Sequence, residues 1–241
     1  SLRRLLEIHG VPVAGRPLLA YHDHSGDKAR DKVLAQLAEG ARVVYASEAG
    51  TPLIADPGYD LVRAARAAGY AVTAAPGPAA AVMALSLSGL PTARFFFAGF
   101  LPSAKGARAK SLREVKDVPA TLVFYASPKR LHRSLAAMAE VLGPEREAVV
   151  ARELTKRFEE LRTGTLATLA AEIEDGALRG EIVVLVAPGA PEEVSADVVD
   201  DMLRAALAEK SAKDAVADVS AATGRPRREV YQQALGILGK S

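Results

Sequence analysis

The segment with the most chemical potential is Ala46-Ser47-Glu48-Ala49-Gly50-Thr51-Pro52-Leu53-Ile54-Ala55-Asp56-Pro57-Gly58. It follows the apolar run Val43-Val44-Tyr45 and precedes a helical pattern through Leu61 and Val62. In open α/β sheets ligands bind at the carboxyl ends of strands, so a loop in this place is positioned for binding. Ser47, Ala49 and Gly50 are small, which lets backbone amides and carbonyls come close to a ligand. Asp56 reads as a helix N-cap with Pro57 at the first helical position. A second loop, Ala75-Pro76-Gly77-Pro78-Ala79, also links a strand pattern to a helix pattern. Alone it reads as a tight connection; two such loops after neighbouring strands predict a shared cleft.

Several chemistries are disfavoured. The chain has no G-x-x-x-x-G-K-[ST] and no G-x-G-x-x-G, so triphosphate and dinucleotide sites lack support. His22-Asp23-His24 is the densest group of ligating types, and with four histidines and no H-E-x-x-H no metal is expected. No G-x-S-x-G elbow marks a serine hydrolase. The absence of cysteine removes thiol nucleophiles, disulfides and Cys-ligated metals.

Basic charge gathers in the middle of the chain. Between Pro102 and Lys116 stand Lys105, Arg108, Lys110, Arg113 and Lys116 against Glu114, and Lys129, Arg130 and Arg133 follow soon after. The first cluster reads as a mobile loop running into a helix. Each cluster alone reads as a solvated face; together they predict a rim for a polyanion, whose phosphates give salt-dependent affinity. The net charge of +2 adds nothing to that expectation.

The elements that must position these residues form an α/β pattern. With 241 residues, 49% of them apolar, the chain can fold as one large domain or two smaller ones. Apolar runs at 17–21, 43–45 and 70–74 alternate with helical patterns at 2–8, at 27–37, through Leu61 and Val62 to Gly69, and at 79–87, which indicates a parallel sheet. After Gly89-Leu90-Pro91 a second block opens at Phe95-Phe96-Phe97. It has strand patterns at 121–125, 148–151 and 181–186 and helical ones near 131–142 and 166–173. Pro188-Gly189-Ala190-Pro191 reads as a linker to a tail with helices at 198–208, 212–219 and 228–238, similar to a helix-turn-helix. The tail carries 7 basic and 9 acidic residues and is basic only near Arg225, Arg227, Arg228 and Lys240. A dimerisation or docking module is an equal reading of it. The segmentation is therefore two α/β domains, 1–91 and 92–189, and a helical tail, 190–241. No apolar run reaches the ~20 residues that span a bilayer and no signal peptide opens the chain, so a cytoplasmic protein is expected.

Ser47 to Gly58, Pro76-Gly77-Pro78, Phe124-Tyr125-Ala126-Ser127, Ala151-Arg152-Glu153-Leu154-Thr155-Lys156 and Arg179-Gly180-Glu181 together resemble the tetrapyrrole methylase-like superfamily. Within it they resemble the branch that methylates the ribose 2′-hydroxyl of a cytidine in the decoding region of 16S rRNA. The resemblance runs in order over nearly the whole chain. It implies two α/β domains with S-adenosylmethionine in the cleft between them, a homodimer, and 16S rRNA or the small ribosomal subunit as partner. It implies that Ser47, Glu48, Ala49, Gly50, Pro52, Pro76, Gly77, Pro78 and Ala79 line the cofactor from the first domain. From the second it adds Tyr125, with Ala151, Leu154, Gly180, Glu181 and Ile182 towards the adenosine side. The family's opening strand, glycine loop and acidic segment ending in Asp-Thr-Arg have no counterpart before Ser1, and the sequence shown is expected to be truncated.

For a methyl transfer to a ribose hydroxyl the candidates for a base are Lys156, Glu153 and Glu48. A lysine serves as base only if burial or neighbouring cations lower its pKa; otherwise Lys156 reads as a phosphate contact. The alternatives are a methyltransferase for a tetrapyrrole or other small molecule, and a non-catalytic RNA-binding ribosome-assembly factor. The two basic clusters and the tail favour RNA.

Overall fold

The computed structural model describes residues 2–15, 17–22, 25–47, 49–174, 178–189 and 195–239. The chain divides into two compact units, Ser1–Pro188 and Gly189–Ser241.

The first unit opens with helices α1 (Leu2–Ile8), α2 (Gly26–Ala38), α3 (Tyr59–Ala67) and α4 (Ala80–Leu87). There follow β1 (Phe95–Phe100), α5 (Lys105–Val115), β2 (Thr121–Ala126), a 3-10 turn at Pro128–Arg130, α6 (Leu131–Leu142) and β3 (Glu147–Arg152). β4 (Glu160–Thr165), α7 (Leu166–Glu172) and β5 (Ile182–Val186) complete it. The five strands form one mixed sheet in the order β1-β2-β5-β3-β4, with β1 and β2 parallel and the other pairs antiparallel.

Side chains alternate across the strands and so build a core on each face. Leu122 and Phe124 of β2, Ala148 and Val150 of β3, and Val184 and Val186 of β5 pack with Leu112, Leu135, Met138 and Leu166 of α5, α6 and α7. Val123, Val149, Val183 and Leu185 point the other way, where Ala81, Ala84 and Leu85 of α4 cover them. α4 thus sits on the sheet through small residues, which brings its backbone close to the strands.

Three expectations need correction. The runs at 17–21, 43–45 and 70–74 are not paired as strands, and Val44 is 88% exposed. Short extended segments owe their stability to cross-strand partners, and apolar content alone supplies none. The sheet is consequently mixed rather than parallel. α3 starts after Gly58, whose φ is 118°, so Gly58 takes the N-cap place expected of Asp56. A Cβ on Gly58 would stand 2.8 Å from the ring of Tyr45, whose hydroxyl donates to the Pro57 carbonyl at 2.7 Å. Finally, the segment expected to be a mobile loop is regular helix from Lys105 onward.

The second unit consists of α8 (Ala196–Glu209), α9 (Ala212–Thr223) and α10 (Arg227–Leu238) around Val199, Leu203, Val216, Val219, Val230 and Ile237. Ser195 and Ser211 cap the first two helices through their side-chain oxygens, and Gly224 ends α9 in the left-handed region at φ 69°. No helix among the described residues is long and apolar enough to cross a membrane.

Candidate active site

Strand register gathers the second-block residues at one end of the sheet. Tyr125 pairs with Val183, and Val183 with Ala151; one step on, Ala126 pairs with Ile182 and Ile182 with Arg152. Tyr125, Val183 and Ala151 therefore stand side by side in one row, Ile182 lies one step along β5 with its side chain in the core of the opposite face, and the chain leaving β3 runs straight into Glu153, Leu154 and Lys156. Tyr125 is held by ring contacts with Phe97 and Phe100 at centroid distances of 4.9 and 5.6 Å. Its hydroxyl accepts from the backbone N–H of Ala81 at 3.3 Å, which ties the first turn of α4 to this sheet end.

That tie carries the two sequence-predicted loops with it. The Pro78 carbonyl, just ahead of α4, accepts from both the backbone N–H of Thr51 at 2.9 Å and its hydroxyl at 3.0 Å. The two loops run in contact: a Cβ on Gly50 would meet the Pro78 carbonyl at 3.4 Å and one on Gly77 the Thr51 hydroxyl at 3.4 Å, and Gly50 holds the left-handed φ of 70° that favours glycine. The Ser47 hydroxyl donates to the Gly50 carbonyl at 2.6 Å and fixes the turn. Leu53 and Ala55 hold φ values of 72° and 56°, a conformation costly to non-glycine residues and typical of backbone held for a purpose. Gly50 and Thr51 thus lie against Gly77 and Pro78, and Ser47 closes its own turn on the same loop. Glu48 lies outside the described residues, as do Asp23 and His24.

Across the sheet end an ion-paired clasp forms. Lys156 Nζ stands 2.9 Å from Glu153 Oε1 and 3.0 Å from Glu181 Oε2. Glu153 Oε1 also accepts from the backbone N–H of Glu181 at 2.9 Å, and the Glu153 N–H donates to the Glu181 carbonyl at 2.9 Å. The Glu181 N–H, and after it the Lys156 ammonium, hold the Glu153 carboxyl below the usual carboxylate range. The hydrogen bonds, to Glu153 first and then to Glu181, hold Lys156 above the usual lysine range. Lys156 therefore fails the condition set for a base, because its neighbours are anions and favour its charged form. Glu153 is a weak base for the same reason. Gly180, at φ 95°, gives the clasp room: a Cβ there would overlap the Glu153 carboxylate. Behind the clasp Arg152 donates to the Arg179 carbonyl at 2.9 Å and pairs with Glu160 at 2.8 Å.

The predicted basic rim is only partly on the surface. Lys105, Lys110, Arg113, Lys129 and Arg133 are exposed. Arg130 is half-buried beside Phe100, Tyr125 and Ser127, close to the site. Arg108 does not join them: it is 7% exposed and its guanidinium donates to the Ser103 carbonyl at 2.8 Å, pinning the turn before α5. Sequence reasoning also missed β4 and the Thr51–Pro78 and Tyr125–Ala81 links. The Thr in Gly-Thr-Pro and the lone Tyr at the end of a buried strand were the available signals.

Residues 11–170 match the family described as Tetrapyrrole (Corrin/Porphyrin) Methylases, and residues 192–238 match the RsmI C-terminal HTH domain. The chain is 44% identical to Ribosomal RNA small subunit methyltransferase I of Mesorhizobium japonicum, over 99% of this chain and 81% of that protein. The chain belongs to this family of methylases. The protein of the same name from Pseudomonas aeruginosa is 43% identical over 99% of this chain and 85% of its own length. Among solved structures the methyltransferase CobJ matches with a TM-score of 0.52 and 25% identity, covering 70% of this chain and 73% of that one. Cobalt precorrin-4 methyltransferase CbiF, at 13% identity, shares the fold with a TM-score of 0.53 over 75% of this chain and 78% of its own.

Proposed function

We propose that the chain methylates the ribose 2′-hydroxyl of a cytidine in the decoding region of 16S rRNA, with S-adenosylmethionine as donor. The observation that carries this reading is the junction of the two glycine-bearing loops, α4 and the Glu153–Lys156–Glu181 clasp at one sheet end. Its donor set fits such a cofactor. The clasp holds two carboxylates around one ammonium, an excess of negative charge that suits a sulfonium and repels a phosphate. Backbone amides and carbonyls exposed by small side chains suit an uncharged adenosine. Ser47, Ala49, Gly50, Pro52 and Pro76 to Ala79 hold the donor on one side; Tyr125, Ala151, Leu154 and Gly180 to Ile182 hold it on the other.

S-adenosylmethionine supplies a methyl group already activated by its sulfonium. What the chain supplies is placement. The paired loops and the clasp are fixed by their own hydrogen bonds, and such placement can account for much of the acceleration of a transfer. A base would add a smaller factor of about 10²–10⁴; paired as they are, Lys156 and Glu153 serve to position.

The exposed cations Lys105, Lys110, Arg113, Lys129 and Arg133, with Arg130 at the mouth, receive the RNA backbone. That is the observation favouring rRNA over a tetrapyrrole, which needs no such rim. An rRNA substrate also places the enzyme in the cytoplasm. A second copy of the chain is its expected partner, in keeping with Val82 and Leu87 of α4, which are 53% and 48% exposed. Calorimetric titration with S-adenosylmethionine and with S-adenosylhomocysteine tests the cofactor half of the reading: one-to-one saturable binding is expected, and no binding of either refutes it.

A further inference from the structure

The loop joining β3 to β4 ends in a feature that the cofactor clasp does not use. Phe158 is 60% exposed, and the guanidinium carbon of Arg157 lies 5.6 Å from its ring centroid. Arg157 makes no ion pair among the described residues. An exposed aromatic ring gains little for folding, since its apolar surface stays in water. The loop beneath them is nonetheless held firmly. The Lys156 N–H donates to the Glu153 carbonyl at 2.9 Å, the Glu159 N–H to the Lys156 carbonyl at 3.1 Å, and the Thr155 N–H to a Glu159 carboxylate oxygen at 2.6 Å. Glu153 and Thr155 take φ values of 49° and 66°, and Leu154, half-buried, packs against the core. A strained, well-bonded turn thus presents a flat ring and a cation to solvent, two residues beyond Lys156.

We propose that Phe158, backed by Arg157, is a stacking platform for an unpaired base of the RNA substrate, and so a positioning element for the nucleotide entering the site. Proteins read single-stranded RNA by stacking bases on aromatic rings and on guanidinium planes. A ring on a fixed turn loses little entropy on binding, and Arg157 offers its charge to the adjoining phosphate. The inference rests on the rRNA reading above. The exposed cations elsewhere on the chain favour an RNA base over a tetrapyrrole, whose macrocycle would stack on the same ring.

Steady-state methylation of small ribosomal subunits by the wild-type chain, Phe158→Ala, Phe158→Trp and Arg157→Ala tests it, with S-adenosylmethionine affinity measured by calorimetry on each. Phe158→Ala is expected to raise KM for the subunit about 5- to 150-fold, the range for losing one base–aromatic stack. Cofactor affinity should stay unchanged, and Phe158→Trp should restore KM. Arg157→Ala should raise KM less and flatten its salt dependence. Wild-type KM in Phe158→Ala would overturn the platform while leaving the methyltransferase reading intact. A loss of cofactor affinity in both Phe158→Ala and Phe158→Trp would assign the ring to the donor pocket and overturn it too. A wild-type chain that binds the cofactor but methylates no RNA would overturn both readings.

Discussion

Gly180→Ala is the substitution on which the geometry of the site bears most directly. Gly180 has φ 95°, so an alanine there carries left-handed strain of ~1–2 kcal/mol. The new Cβ would also lie 2.6 Å from Glu153 Cγ and closer still to its carboxylate. Glu153 must then leave, and with it go the bonds from the Glu181 N–H and Lys156. Gly69→Ala is the control, because Gly69 has φ 84° with nothing within 4 Å of a Cβ. It carries the backbone strain without the collision. At ~2–4 °C per kcal/mol for a domain of this size, the control should lose about 2–8 °C in Tm. Gly180→Ala should lose roughly twice that. The functional difference should be larger: Gly69→Ala keeps wild-type kcat/KM, whereas Gly180→Ala falls on the order of 10²-fold, the usual effect of moving a positioning group by ~1 Å. Differential scanning fluorimetry and methyl-transfer kinetics on both variants measure this. Equal Tm losses with equal kcat/KM would refute the claim that Gly180 is there to make room for the clasp.

Three further outcomes follow, one from the clasp and two from the basic cluster. The folded pKa of Glu153 is depressed, so its stabilisation is present above the ordinary carboxylate range and is lost as pH falls through the lowered value. That of Lys156 is raised, so its contribution is complete below the ordinary lysine range and is lost as pH rises through the raised value. The clasp therefore persists across neutrality: kcat/KM should show no ionisation removed by Lys156→Met between about pH 6 and 9, and a lysine-dependent limb there would contradict the ion-paired assignment. Arg108→Ala should cost stability, about 2–8 °C in Tm, because the buried guanidinium holds the Pro102–Ser103 turn. Lys110→Ala should leave Tm unchanged and lower the salt dependence of RNA binding by roughly one phosphate contact.

The second block was legible because its strands are continuous apolar runs: Thr121–Ala126 and Ile182–Val186 stand where their β-branched residues put them. β4 escaped notice because Glu-Leu-Arg-Thr-Gly-Thr has a single large apolar residue; it is a strand by virtue of its ladder with β3, a pairing no local pattern announces. The same limit misled in the opposite sense at 43–45, where apolar content suggested a strand that no partner pairs among the described residues. The positions of the candidate loops could be read from small residues after strand patterns. Their closure by Thr51 on Pro78, 27 residues away, could not. Lys156 was visible as a cation, but it is paired with Glu153 and also with Glu181, 25 residues further on, and the second of these partners no local pattern announces. Arg108 shows the converse: a basic cluster gives charge, and only packing tells which member faces inward.

The most direct measurement is transfer of a labelled methyl group from S-adenosylmethionine to purified small ribosomal subunits, followed by digestion of the RNA to nucleosides. The account predicts label in 2′-O-methylcytidine and none on a base. Label in any other nucleoside, or transfer to a tetrapyrrole with none to RNA, would contradict it.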